Sequence, residues 1–384
     1  MIPYGKQDIT EEDIEAVVKV MRSDFLTQGP VVPKFEEELC NYTGAKHAVA
    51  VNSCTSALHI ACLSLGLEPG GILWTSPITF VASANCALYC GASVDLVDID
   101  FDTALMSISH LKSKLERAKK DGKLPKIVVP VHFSGQSCDM QEIHSLSKEY
   151  GFYIVEDAAH AIGGSYKDEK IGCCKYSDIT VFSFHPVKII TTGEGGAALT
   201  NNSKLAKNME LLRSHGITRD IHQMNEKSSN PWYYEQITLG YNYRMTDIQA
   251  ALGVSQLNII DEYISKRAEI ANYYDKVFRN TKVFPLIVKT DRSSSNHLYV
   301  IRVSKKIRNI LFDKLIETGI GVNLHYIPLY KQPYFELNGT FSEAEKYYSS
   351  AISIPIFPLL PVNKVRYIAN TILSLLETDN ECYE

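Results

Sequence analysis

The sequence lacks the features that mark membrane, secreted and zinc-binding proteins. No window of eighteen residues is apolar and uncharged throughout, and no apolar run follows a basic region near the start. The nine cysteines include no C-x-x-C pair, whereas structural zinc needs closely paired ligands and a disulfide scaffold needs denser cysteine. We therefore expect reduced thiols, no metal, no membrane partner and a soluble cytoplasmic protein.

Clustered charge of one sign is also missing. The formal net charge is −5, and the longest basic cluster, within residues 117–123, lies in a lysine-rich segment with the pattern of a solvated helix and loop. Nucleic-acid-binding domains usually carry a basic face or stripe. We therefore expect no nucleic-acid partner.

The chain has an ordinary globular composition and enough length for two domains. Of its 384 residues, 45% are hydrophobic and 22% are charged. A single core stops growing at roughly 250–300 residues. Residues 246–278 show one long helical pattern, beyond which residues 296–303 and 321–330 are strand candidates. We expect a large domain over residues 1–250 and a smaller C-terminal α+β domain over residues 251–384.

Short apolar segments alternate with helical patterns in the first half of the chain. The segments predicted as strands are HAVAV (47–51), ILWT (72–75), SVDLVD (93–98), KIVVPVHF (126–133), FYIVED (152–157) and DITVFSF (178–184). Apolar strands that alternate with helices indicate an α/β fold whose mostly parallel sheet is covered on both faces. Ligands of such sheets bind at the carboxyl ends of the strands. Polar residues that follow these strands are therefore the first candidates for a functional site.

The segment SFHPVKIITTGEGG (183–196) follows the last of these strands. Lys188 has apolar neighbours there, and desolvation lowers the pKa of a lysine, which yields the neutral amine that forms Schiff bases. A surface cation is the ordinary alternative. The glycines match G-x-G-x-x-A, but a dinucleotide-binding fingerprint would open a helix, and here they precede a strand-like GAALTN. We favour a nucleophilic lysine over a nicotinamide site.

Pyridoxal phosphate would need further groups beside the lysine, and each has a candidate at a strand end. Asp157 could pair with the ring nitrogen, and Phe80 could stack on the ring. Ser53, Thr55 and Ser56 open a predicted helix whose amides and hydroxyls suit a phosphate. Taken singly, these residues could equally be a turn carboxylate, a core aromatic and helix caps. Their joint placement favours the cofactor.

Six motifs extend the match to a known family. NSCTSALH, SPITFVASAN, VEDAAHAIGGSY, VFSFHPVKIITTGEGGAALTN, LRSHG and GYNYRMTDIQAALG occur in that order. In these motifs the sequence resembles the DegT/StrS-type sugar-nucleotide aminotransferases over most of its length. The resemblance implies the fold type I arrangement of pyridoxal-phosphate enzymes, with a seven-stranded type of sheet. It also implies a homodimer whose active sites lie at the subunit interface.

The resemblance assigns roles by position. It matches Lys188 to the lysine that binds the cofactor and acts in catalysis. The other matched cofactor residues are the ring-nitrogen partner Asp157, the stacking residue Phe80, the ring neighbour His160, the phosphate ligands Thr55, Ser56 and Ser183, and Asn242, which would reach the phosphate from the other subunit. Substrate-neighbouring positions, matched less securely, are Tyr4, His185, His325 and Tyr326. Arg213 is a candidate for pyrophosphate or carboxylate binding, although it could equally pair with a surface acid.

Lysine at position 188 favours transamination, because relatives with histidine there are sugar dehydratases. The FHPVK form, with SSSNHLYVIRV and VNLHYIPLY, is most similar to members of pseudaminic acid biosynthesis. Those members transfer the amino group of L-glutamate to a UDP-linked 2-acetamido-2,6-dideoxy-hexos-4-ulose. The alternatives are another UDP- or dTDP-linked 4-keto or 3-keto sugar, or a regulator that keeps the fold as a sensing domain. A regulator usually adds a DNA-binding segment, for which this sequence offers no basic region.

Overall fold

The computed structural model describes residues 1–228, 230–337 and 339–380, and the side chains of residues 1–377 within those ranges. The helices are α1 (Glu11–Met21), α2 (Val31–Thr43), α3 (Cys54–Ser64), α4 (Ala82–Tyr89), α5 (Ile108–Asp121), α6 (Met140–Tyr150), α7 (Ser203–Arg213), α8 (Asp247–Leu257), α9 (Ile260–Phe278), α10 (Arg308–Glu317), α11 (Ser342–Ser350) and α12 (Val362–Asn380). Within these ranges, none of the helices combines the length and apolarity that crossing a membrane requires.

The strands form one large sheet and three small ones. They are β1 (His47–Val51), β2 (Ile72–Thr75), β3 (Ser93–Leu96), β4 (Ile127–Val129), β5 (Tyr153–Asp157), β6 (Ser165–Tyr166), β7 (Glu169–Lys170), β8 (Ile179–Ser183), β9 (Gly196–Thr200), β10 (Ile217–Thr218), β11 (Glu235–Gln236), β12 (Phe284–Pro285), β13 (Arg292–Ser293), β14 (Tyr299–Arg302) and β15 (Ala351–Ile354).

The large sheet has seven strands in the order β1-β9-β8-β5-β4-β2-β3. Strands β3, β2, β4, β5 and β8 pair in parallel, whereas β9 runs antiparallel to both β8 and β1. Strand β1 therefore has the same direction as the parallel strands, and the carboxyl ends of all six meet at one edge. This arrangement confirms the predicted α/β fold with a mostly parallel seven-stranded sheet.

Helices cover both faces of this sheet. Alternate residues of each strand point to opposite sides, so each strand packs against both layers of helices. In β1, Val49 and Val51 pack into a core that includes residues of α3 and α4. Ala48 and Ala50 pack on the opposite side with residues of α2 and α8. Buried apolar residues on both faces explain why the strands are apolar throughout rather than alternating with polar residues.

Two of the predicted elements differ in the structure. The predicted helix over residues 246–278 is two helices, α8 and α9, because the amides of Asn258 and Ile259 bond to carbonyls three residues back and φ of Ile259 is −112°. The predicted strand over residues 321–330 was wrong: Asn323 makes a single bridge to Ser353, and a short 3₁₀ turn spans Leu329–Lys331. Pro328 has no amide proton for a strand ladder there.

The C-terminal part has its own antiparallel sheet, β12-β14-β15, and its own core. Strand β14 lies within the segment predicted as a strand at residues 296–303. Helix α9 contributes to both cores, since Tyr263 packs with the large sheet and Tyr274 packs with the C-terminal sheet. The division at residues 250 and 251 stays a prediction.

Candidate active site

A cavity of about 650 Å³ opens at the edge of the large sheet where the parallel strands end. Its walls come from the segments that directly follow β1, β2, β4, β5 and β8, together with residues 297, 323–327 and 332 of the C-terminal part. The residues predicted for the site that line it are Tyr4, Thr55, Phe80, Asp157, His160, Ser183, His185, Lys188, His325 and Tyr326. The sheet topology thus collects side chains from Thr55 to Lys188, and the N-terminal segment and the C-terminal part add Tyr4, His325 and Tyr326.

Lys188 lies in a turn just after β8, where its amide bonds to the carbonyl of His185 at 2.9 Å. The next two residues, Ile189 and Ile190, are buried in the core beneath it. Burial lowers the pKa of Lys188 to about 8, and the neighbouring Cys54 and Asp157 partly oppose that shift. A lysine of this kind supplies a neutral amine near physiological pH.

Asp157 ends β5 and is only 5% exposed. Its Oδ2 accepts a hydrogen bond from the hydroxyl of Ser83 at 2.5 Å, and its Oδ1 accepts one from the amide of Ala159 at 3.1 Å. A carboxylate with two donors is held in one orientation while each oxygen keeps a lone pair for a ligand. Asp157 is therefore a fixed acceptor in the wall of the cavity.

The start of helix α3 contributes Ser53, Cys54 and Thr55 to the wall of the cavity. Ser53 caps the helix and accepts a hydrogen bond from the amide of Ser56 at 3.1 Å. The first turn of a helix attracts anions through its free amides and its dipole. At Gly196, the first residue of β9, an added Cβ would lie 2.5 Å from the amide nitrogen of Cys54, so only glycine fits there.

His160 and Tyr326 form a hydrogen-bonded pair in the cavity wall. The amide of Ser134 donates to His160 Nδ1 at 3.3 Å, so the proton of the neutral ring belongs on Nε2, which lies 3.1 Å from the hydroxyl of Tyr326. Burial holds the pKa of His160 well below its ordinary value, with Lys188 and His325 adding to the shift. Burial also raises the pKa of Tyr326, which keeps its hydroxyl protonated. The pair therefore presents a neutral hydroxyl to the cavity.

His325, one of the two histidines predicted near the substrate, is bonded to a side chain rather than to backbone. Its Nδ1 lies 2.8 Å from the hydroxyl of Ser353. Burial lowers the pKa of His325 to about 4, and Lys188 contributes to that shift. The ring of Tyr4 lies 5.3 Å from that of His325, centroid to centroid. Both rings border the cavity.

Three predicted site residues do not line this cavity. Ser56 is buried, and its hydroxyl donates to Asn52 Oδ1 at 2.7 Å. Asn242 is exposed. Arg213 bonds to the carboxylate of Glu36 and, at 2.8 Å, to the carbonyl of Ala50, so in this chain it pairs with an acid away from the cavity.

Comparison with known proteins decides the family. The family model described as the DegT/DnrJ/EryC1/StrS aminotransferase family matches residues 7–373. This chain belongs to that family. The aminotransferase is 39% identical over 390 residues to the UDP-4-amino-4,6-dideoxy-N-acetyl-beta-L-altrosamine transaminase of Campylobacter jejuni, with 100% of both chains covered.

Solved structures of similar proteins agree with this membership. PseC of Helicobacter pylori, an aminotransferase involved in the biosynthesis of pseudaminic acid, superimposes with a TM-score of 0.89 at 33% identity, and 98% of this chain and 99% of that chain are covered. The PLP form of Spr1654 from Streptococcus pneumoniae, assigned as a sugar aminotransferase, gives a TM-score of 0.87 at 31% identity, with 98% and 99% covered. The family and this PLP form indicate pyridoxal phosphate as the cofactor of the aminotransferase.

The residues of the cavity fit this cofactor. Lys188 offers an amine of lowered pKa, and Asp157 offers a fixed carboxylate for a ring nitrogen. The start of α3 offers the hydroxyls and amides that a phosphate needs. Phe80 is 58% exposed, with its ring facing the cavity rather than the core. A large apolar ring left open to a cavity is available for stacking.

Sequence reasoning missed several residues of the aminotransferase site. Ser83 donates a hydrogen bond to Asp157, and Thr79 contacts the hydroxyl of Ser83. The sequence feature that could have indicated them is a pair of hydroxyl residues four positions apart beside the start of a predicted helix. His297 also lines the cavity, with its ring centroid 4.4 Å from that of His160. His297 gave no signal beyond its place in a predicted strand. Asn323 and Gln332 complete the side that the C-terminal part contributes.

Proposed function

We propose that this aminotransferase moves the amino group of L-glutamate to the 4-keto carbon of UDP-2-acetamido-2,6-dideoxy-β-L-arabino-hexos-4-ulose, a reaction of the pseudaminic acid pathway. The observation that carries the proposal is an amine of lowered pKa, Lys188, in one cavity with the carboxylate of Asp157. The names of the similar Campylobacter and Helicobacter proteins support the choice of substrate.

Pyridoxal phosphate, when bound, supplies an aldehyde that takes up the amino group and a ring that withdraws electrons from the carbon that loses a proton. The chain supplies the acid and base. With a pKa of about 8, the free amine of Lys188 is neutral in about one molecule in ten at pH 7. We propose that Lys188 Nζ removes the proton from the α-carbon of glutamate and later delivers a proton to C4 of the sugar.

The remaining polar groups orient rather than transfer protons in this proposal. Asp157 holds the ring nitrogen in its protonated form through a charge-assisted hydrogen bond. Thr55 and Ser183 bind the cofactor phosphate with the first turn of α3, and Ser56 joins them only when its hydroxyl exchanges Asn52 for the phosphate. Phe80 stacks on the ring beside His160. Tyr4, His185, His325 and Tyr326 contact the sugar nucleotide.

We also propose that the protein is a cytoplasmic homodimer in which Asn242 reaches the phosphate bound by the other subunit. Exposed apolar side chains in the segment that precedes Asn242 support an interface, because Trp232 is 71% exposed and Leu239 is 73% exposed. Large apolar side chains left in water within one segment are typical of a contact surface. Arg213, which pairs with Glu36, has no substrate role in this proposal.

The test is incubation of the holoenzyme with L-glutamate and a panel of UDP- and dTDP-linked 4-keto and 3-keto sugars. Products are identified by mass spectrometry and NMR, and Lys188→Ala is the matched control. We expect an amino sugar from the L-arabino 4-keto sugar and none from the control. If only a different sugar of the panel is aminated, the proposed substrate is wrong. Amino transfer by the Lys188→Ala variant would overturn the mechanism.

A further inference from the structure

Two hydroxyl side chains that the proposed reaction does not use lie directly behind Asp157. Ser83 Oγ donates to Asp157 Oδ2 at 2.5 Å, and Thr79 Oγ1 lies 2.7 Å from Ser83 Oγ. All three residues are almost completely buried, with 2% of Thr79, 0% of Ser83 and 5% of Asp157 exposed. The carboxylate is therefore held by two nearly buried hydroxyls, while Asp157 and Thr79 also border the cavity.

The direction of the hydrogen bonds in this network follows from the number of protons. An ionised carboxylate only accepts hydrogen bonds, and a serine hydroxyl has one proton to donate. Since Ser83 gives its proton to Asp157, Thr79 must donate to Ser83. The order is therefore Thr79 to Ser83 to Asp157, and each bond in such a series polarises the next. The final distance of 2.5 Å is at the short end for a hydroxyl bonded to a carboxylate.

The sequence produces this arrangement with a single turn between β2 and α4. Ser83 is the second residue of α4, and Thr79 lies three residues before the helix begins, where the chain bends so that the two hydroxyls lie 2.7 Å apart. Phe80 lies between them in sequence and is 58% exposed in the cavity. One turn therefore places an aromatic ring in the cavity and two hydroxyls behind the carboxylate.

We propose that Ser83, itself oriented by Thr79, is a positioning residue that keeps the Asp157 carboxylate aligned on the ring nitrogen of the cofactor. The inference rests on the proposed function, in which Asp157 faces that nitrogen. Without the hydroxyl, the carboxylate loses its shortest hydrogen bond, turns more freely and is less well aligned with that nitrogen. The ring nitrogen then spends less time protonated.

The experiment reads the protonation of the ring nitrogen directly. Holoenzymes are loaded with pyridoxal phosphate that carries ¹⁵N in the ring, and the ¹⁵N chemical shift is compared among wild type, Ser83→Ala, Thr79→Val and Asp157→Asn. Thr75→Val is the matched control, because the buried hydroxyl of Thr75 bonds only to the carbonyl of Val129, at 2.9 Å, away from the cavity. Single-turnover rates with glutamate alone are measured on the same samples.

We expect Ser83→Ala to move the ¹⁵N shift toward the unprotonated value of Asp157→Asn and to slow the glutamate reaction about 10- to 100-fold, as losing a hydrogen bond to a charged group implies. Thr79→Val should change the ¹⁵N shift and the rate in the same direction but by less. Thr75→Val should match wild type in both measurements. If Ser83→Ala does not fold, the ¹⁵N shift and rate of Thr79→Val test the inference by themselves. If Ser83→Ala and Thr79→Val both keep the wild-type ¹⁵N shift while Asp157→Asn changes it, this inference is overturned and the proposed role of Asp157 is not. A wild-type shift in Asp157→Asn would instead overturn the proposed role of Asp157.

Discussion

Replacing Lys188 by methionine should stabilise the cofactor-free protein while abolishing amino transfer. Burial lowers the pKa of this lysine from 10.5 to about 8. Below pH 8 the amine is charged in both the folded and the unfolded chain, and the folded chain bears the cost of keeping that charge away from water. A difference of about 2.5 pKa units corresponds to roughly 3 kcal/mol, which sets the upper size of the effect.

The pH dependence separates this electrostatic cost from any change in packing. Between about pH 8 and pH 10.5 the unfolded chain binds a proton that the folded chain has lost, so the stability of the wild type rises with pH across that window. Above about pH 10.5 the amine is neutral in both states and the cost has disappeared. The advantage of the methionine variant should therefore be largest below pH 8 and should shrink by about 2–3 kcal/mol by pH 10.5.

Urea denaturation of the cofactor-free proteins at pH 7, 9 and 10.5 measures this advantage. Lys204→Met, at an exposed lysine of α7, is the matched control, because no buried charge is relieved there. A pH-independent difference between wild type and Lys188→Met, or the same pH trend in the control, would refute the argument that burial lowers the pKa of Lys188.

Three further predictions concern other parts of the site. Asp157→Asn should slow the glutamate half-reaction at least about 100-fold in stopped-flow absorbance while the cofactor still binds, because a neutral amide cannot hold the ring nitrogen protonated; a rate near wild type would contradict the role of Asp157. Gly196→Ala should weaken cofactor binding about tenfold or more and lower the urea midpoint, since the new Cβ would lie 2.5 Å from the amide nitrogen of Cys54. An unchanged cofactor affinity in a fluorescence titration would show that the start of α3 shifts without cost. Arg213→Met should lower stability by about 1–3 kcal/mol, because Glu36 loses its partner, and should leave KM for the sugar nucleotide unchanged; a large rise in KM would show that Arg213 binds substrate.

The large sheet was predictable because its strands carry a strong physical signal. Strands buried on both faces are mostly apolar, as in His47–Val51 and Ile179–Ser183, and helical patterns separate them. The position of Lys188 after such a strand, with isoleucines beside it, was enough to infer a lysine of lowered pKa. The structure adds the amount of burial and the neighbouring charges.

Features that depend on contacts between distant residues were not predictable. Nothing in the pattern of residues 321–330 shows that His325 and Tyr326 turn toward a cavity instead of extending a strand. The pairing of Arg213 with Glu36 joins residues 177 positions apart, and a lone arginine gives no sign of its partner. The break at Asn258 between α8 and α9 interrupts an otherwise continuous helical pattern, which periodicity alone cannot locate.

Reductive trapping tests the central assignment most directly. The holoenzyme is treated with borohydride, digested, and analysed by mass spectrometry for a peptide that carries the reduced cofactor. The assignment of Lys188 predicts modification at that residue, lost when glutamate is added before the borohydride because the amino acid then displaces the lysine. Modification at another lysine, or none in a protein that still transfers amino groups, would contradict it.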